Sequence, residues 1–144
     1  MIQHDLTQWP LVLSVMRGVT TLDEQVGFFS EWNGWLDRGE PFITLRVFSD
    51  AASLERPEGG AKEAKAWLQA NADRVKSLVM GMATIVPAES FEDVSRMNAE
   101  KLFGVPAKTF DDVSSAIAWV EDAILLPRGV SFDREAATRF LVGG

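Results

Sequence analysis

The stretch LRVFSDAASLERPEGGAKEAKAWL, Leu45–Leu68, decides the fold class. An apolar run ends at Ser49-Asp50, a charged turn closes on Gly59-Gly60, and a helical pattern follows with Ala64, Trp67, Leu68, Asn71 and Val75 on one side. That is a strand feeding a helix through a turn, the unit from which α/β domains are built.

Reading outward from it, the same unit recurs. Leu11–Met16 (LVLSVM) is a short apolar run closed by Arg17-Gly18, and Phe42–Phe48 (FITLRVF) and Leu78–Val86 (LVMGMATIV) are two more strand candidates. Between the first two, Thr21 stands three residues before Glu24 in capping-box spacing, and Gly39 and Pro41 close the helix. The second helix is expected from Ala61 to about Lys76, and a third from Glu89 to Leu102, broken by Gly104 and Pro106. A short strand, Ala107–Phe110, leads into a well-patterned helix with Val113, Ala116, Ile117, Val120 and Ile124 inward and Asp111 as its cap. After Pro127-Arg128-Gly129 a last helix is expected over Ser131–Leu141, capped by Ser131.

The expected fold is therefore α/β, a small, mostly parallel sheet of four to five strands with covering helices. The optional fifth strand is Ile2–Leu6. Residues 1–126 form the expected domain, and 127–144 a helical appendage.

Composition narrows the function. The chain has 144 residues, enough for one core, and a net charge of −7, which opposes binding to nucleic acid or anionic membrane. With no cysteine there is neither a thiolate nucleophile nor a cysteine zinc site, which accommodates a cytoplasmic location. Asp5 stands where a signal peptide carries basic residues, and the first apolar run is too short to span a bilayer. There is no tyrosine and one histidine, His4, expected on a fraying terminus and so a poor general base. Neither GxGxxG nor GxxxxGK[ST] occurs. Glu55 and Glu58 read as solvated loop charges. No enzyme, catalytic residue, metal site or cofactor is expected.

Ligands of open α/β sheets gather at the carboxyl ends of the strands. There, Ser49, Asp50 and Ser53 precede a helix that opens at Gly59-Gly60, an arrangement able to receive an anion. The same residues are also ordinary turn formers.

The order of elements, the run RGEPFITLRVFSD (Arg38–Asp50) and the run KTFDDVSSAIAWV (Lys108–Val120) resemble the STAS domains, especially the SpoIIAA-like anti-sigma-factor antagonists. The resemblance covers Pro10 to Leu125. It implies a non-enzymatic module that docks on a kinase-type regulatory partner and is released when a loop serine takes a phosphate. Carried over, it points to Ser53, with Ser49 second, as phosphoacceptor and to Asp50 as the neighbouring acid. The family loop reads close to D-S-S-G, whereas this chain has Asp50-Ala51-Ala52-Ser53 and then inserts LERPEGG.

On the first helix, at about 100° per residue, Leu22, Val26, Phe29, Trp32 and Leu36 form an arc that Phe28 and Trp35 widen beyond one sheet face. With Trp119 on the later helix, Phe28, Trp32 and Trp35 are candidate interface residues, for a homodimer or a protein partner. The alternative is that the tail, through Phe132, Phe140 and Leu141, covers them. Two further functions fit the composition. One is a binder of a small molecule, anionic or lipid, or a minor enzyme, with a pocket bounded by Thr20, Ser49, Asp50 and Glu89. The other is an immunity-type inhibitor steered to a basic partner.

Overall fold

The structure, a computed structural model, describes residues 1–143. Five strands form one sheet in sequential order: β1 (Ile2–Asp5), β2 (Leu11–Met16), β3 (Phe42–Phe48), β4 (Val79–Ile85) and β5 (Ala107–Phe110). The sheet is mixed rather than mostly parallel as expected, because β1 pairs antiparallel with β2 while the other three pairings are parallel. The physical reason is the connection: only residues 6–10 separate β1 from β2, too few for the crossover a parallel pair needs.

Helices α1 (Leu22–Asp37) and α2 (Gly60–Leu78) are the crossovers from β2 to β3 and from β3 to β4. The expected capping box is present, with Thr21 Oγ1 accepting from the Glu24 amide and Glu24 accepting from the Thr21 amide. The expected third helix is two short ones, α3 (Phe91–Ser95) and α4 (Ala99–Phe103). Ser95 Oγ bonds back to the Phe91 carbonyl and the Asn98 side chain caps a fresh start at the Lys101 amide, so residues 96–98 interrupt the run.

Since the strand order is sequential, every parallel crossover steps the same way, and a constant hand puts the crossovers on one face. That face carries Val12, Phe42 and Met82 against Trp32, Trp35 and Leu36 of α1, Val75 of α2 and the half-buried Phe103 of α4. The opposite face carries Leu11, Leu13, Val15, Ile43, Leu45, Val47, Ala83 and Ile85. It is covered by the helical elements after β5: α5 (Val113–Val120), a π-helical turn (Glu121–Leu125) and α6 (Arg134–Gly143).

Of the five inward residues expected on the helix after β5, Ala116, Ile117, Val120 and Ile124 are buried, and Val113 is half-buried against the same core. The cap of α5 is Asp112 rather than Asp111, accepting from the Ser115 amide at 2.7 Å. The wide turn fits because position 81 is glycine: a Cβ there would collide with the Ile124 side chain and lie 3.3 Å from the Pro106 carbonyl. The segment read as an appendage places Ala137 and Leu141 in the core, and Asp133, not Ser131, caps α6 by accepting from the Ala136 amide. Gln8 exchanges two hydrogen bonds with the Asp133 backbone. Among the described residues no helix is long and apolar enough to cross a membrane.

Candidate functional site

The β2–α1 and β3–α2 connections meet at the carboxyl end of the sheet. Asp50 joins them, its carboxylate accepting from the Gly18 amide at 3.1 Å and from the Ser53 amide at 2.9 Å. Those backbone donors, Gly18 first and Ser53 next, hold the Asp50 carboxyl below the usual aspartate range. Asp50 caps this turn and Ser53 closes it: the Ser53 hydroxyl donates to the Asp50 carbonyl at 2.6 Å and the residue is 4% exposed. Ser53 is thus turned inward, and Ser49 is the exposed serine of this loop.

Gly59 has φ +80°, a left-handed entry to α2 that favours glycine, and α2 starts without a capping side chain. Gly60 is buried against Pro57 and Gln25, whose Nε2 donates to the Gly60 carbonyl at 2.8 Å. This ties α1 to the start of α2. Beside the two connections lie exposed apolar side chains: Val19 at 63%, Leu22 at 39% and Val26 at 47%. Leu22 and Val26 are one turn apart on the same side of α1, and Leu22 comes within 4.0 Å of where a Cβ on Gly59 would stand.

The aromatic residues expected at an interface are placed differently. Trp32 and Trp35 are core residues, and Phe28 is half-buried. The arc on α1 is wide because it has three neighbours rather than one sheet face. His4 of β1 stands edge-on to Phe28 and Trp35 at centroid distances of 5.1 and 5.0 Å. Trp32 and Trp35 lie over Phe42 of β3. Phe29 stacks on Trp67 of α2 at 5.2 Å, and the Trp67 indole donates to Asn33. Trp119 is half-buried beside Phe110, on the opposite face. The tail covers that opposite face and leaves α1 alone.

His4 lies within a strand rather than on a fraying end. Its Nδ1 is 2.7 Å from Ser14 Oγ, and burial is the main cause that lowers its pKa, opposed by the charge of Glu31. Ser14 is buried and His4 is half-buried. Two concavities of about 630 Å³ exist elsewhere, one along α6 and one at the amino ends of the strands near Lys76, Trp119 and Arg128. Neither is lined by Thr20, Ser49, Asp50 or Glu89. Among the described residues no three of His, Asp or Glu converge as metal ligands.

One residue passed over in the sequence stands out. Arg46 lies inside central strand β3, on the face carrying α1 and α2, where it alternates with Leu45 and Val47 of the opposite core. Its Nη2 donates to Thr84 Oγ1 of β4 at 3.2 Å, while its Nε is shut off from solvent and makes no bond. Burial first, and the charge of Arg56 second, push its pKa down to about 10. The available signal was the arginine itself, a charge in the middle of FITLRVF, in a strand whose two faces both had to be covered.

No family model matches the chain, and comparison with curated proteins and with solved structures gave no match.

Proposed function

We propose that the protein is a non-enzymatic binding module that acts by docking on another protein, through the surface made by the β2–α1 connection, the first turns of α1 and the β3–α2 connection. The observation that carries this reading is the exposed apolar set Val19, Leu22 and Val26 on a scaffold that Asp50 and Gln25 fasten from below. Such a preorganised surface binds with little ordering cost.

Its rim is mainly acidic, with Asp23, Asp50, Glu55 and Glu58 exposed against the one exposed cation of the β3–α2 connection, Arg56. Two copies meeting here would set these carboxylates against one another, so the partner we infer has an apolar centre and a basic rim. The resemblance to SpoIIAA-like STAS domains supports the same reading, and so does a sequential run of strand–helix units of the kind that resemblance implies. In this reading Ser49 is the better-placed phosphoacceptor. The module would work in the cytoplasm.

The test is the Leu22→Asp, Val26→Asp double variant, compared with wild type for capture of partners from the native cytosol and for mass in solution. Loss of a specific captured protein at unchanged thermal stability is expected. Retention of every partner would refute the surface, and a wild-type dimer that the variant breaks would replace the partner by a second copy.

A further inference from the structure

The registers of the five strands place His4, Ser14, Arg46, Thr84 and Thr109 in one row across the whole sheet. The face is the one that carries α1 and α2. At the β1 end the row is self-satisfied, because His4 and Ser14 bond one another. At its centre it is not. Arg46 has one bond, to Thr84, and no carboxylate stands within ion-pair distance of it among the described residues.

Three buried side-chain atoms lack a partner among the described residues: Arg46 Nε, Thr44 Oγ1 and Gln25 Oε1. Thr44 is the next residue on the same face of β3, and Gln25 belongs to α1, which packs on that face. The unmet polar demand is therefore concentrated in one layer of the molecule, on the side of Arg46. Water could satisfy the two oxygens and the N–H. It would not neutralise a guanidinium, which stays charged in a protein interior. The nearest influence of like kind is Arg56, an exposed residue of the β3–α2 connection, whose charge makes the position still less favourable for Arg46. Glu55 and Glu58 flank Arg56 without pairing with it.

Arg46 has a buried Nε without a partner, an Nη1 that makes no hydrogen bond, a hydroxyl beside its Nη2 and the charge of Arg56 acting on it, and among the described residues no anion answers that charge. Arg46 as a whole is not sealed in; it is partly exposed, so a small group can reach it. We propose that Arg46, with Thr84 beside it and the charge of Arg56 acting on it, binds a small oxyanion: the carboxylate, phosphate or sulfate group of a low-molecular-weight ligand. The end-on edge of the guanidinium, Nη1 with the second hydrogen of Nη2, presents two parallel donors to such a group, and the Thr84 hydroxyl, which accepts from Arg46 Nη2, has its own hydrogen to donate. The site lies in the layer beneath α1 and α2 and stands independently of the docking surface.

The experiment titrates the full chain with sodium phosphate, sodium sulfate and sodium acetate at constant ionic strength against sodium chloride. It follows melting temperature and the Arg46 Nε–H resonance. At least one anion is expected to give a saturable rise in melting temperature together with a saturable shift of that resonance, and the three arms separate a tetrahedral from a planar ligand. Arg46→Met should abolish the response. Arg46→Lys, which keeps the charge and loses the fork, should weaken it about tenfold. Arg56→Ala should weaken it by less. Absence of a saturable response to all three anions in the wild type, or an equal response in Arg46→Met, would overturn the proposal. The Leu22→Asp, Val26→Asp variant should bind the anion as the wild type does, so that failure of the docking surface and failure of this site are told apart.

Discussion

Replacing Arg46 by methionine should make the protein more stable in a buffer of chloride alone. Burial pushes the Arg46 pKa down to about 10, which shows that the site disfavours the charged guanidinium, and at about 1.4 kcal/mol per tenfold the penalty is roughly 3–4 kcal/mol. The sign follows from the direction. A cation whose folded pKa lies below its unfolded value costs stability at every pH below the folded value, so the whole penalty stands at pH 7. Against it, the variant loses the bond to Thr84 Oγ1, worth about 1.5 kcal/mol for a charged donor. Methionine retains most of the buried stem. The net expectation is a gain of about 2 kcal/mol. For 144 residues the unfolding entropy is roughly 0.3 kcal/mol per kelvin, so the melting temperature should rise about 6 °C. The assay is urea unfolding followed by tryptophan fluorescence at pH 7, which the five tryptophans make sensitive. A variant less stable than wild type at an unchanged denaturant slope would refute the reasoning, since the guanidinium would then be favourably paired where it stands.

Two further outcomes are expected of the same core. His4 has its pKa lowered mainly by burial, so stability should be complete above pH 6.5 and decline as the pH falls below it, where the unfolded chain takes up the proton first. Urea midpoints at pH 7 and pH 5 should differ more for wild type than for His4→Gln, and equal differences would show that His4 contributes nothing to the slope. Trp35→Ala should cost about 3–5 kcal/mol, as for a large aromatic removed from a packed core, and leave the mass in solution unchanged. A loss under about 1 kcal/mol would return this ring to the surface.

Much of the fold was legible where local chemistry and the final packing agree. The bounds of β3, the Thr21–Glu24 box and the inward stripe of α5 come from period, cap and turn residues within a few positions of each other. What could not be read depended on neighbours distant in the chain. Trp32 and Trp35 look like an excess of aromatic surface until β1 is added beside β2 and α2 beside α1. The choice of Asp112 over Asp111, and of Asp133 over Ser131, was settled by where the chain enters each helix, which composition leaves open among adjacent polar residues. The candidate site divides in the same way. Ser49, Asp50 and Ser53 were found as a loop, but whether Ser53 faced in or out rested on how the turn brings its hydroxyl back to the Asp50 carbonyl. Arg46 was concealed by its setting, because a run dominated by Ile, Leu, Val and Phe is read for its apolar members.

The one-directional stacking of crossovers has a consequence for the making of the molecule. While residues 1–110 leave the ribosome they can assemble the sheet and roof one side of it, yet Leu11, Leu13, Val15, Ile43 and Leu45 then face water as a broad greasy wall. Synthesis must run past Leu141 before that wall is shut, with Gln8 and Asp133 as the final clasp between early and late segments. A nascent or truncated chain stopping short of α5 would therefore leave that wall open and be a client for chaperones.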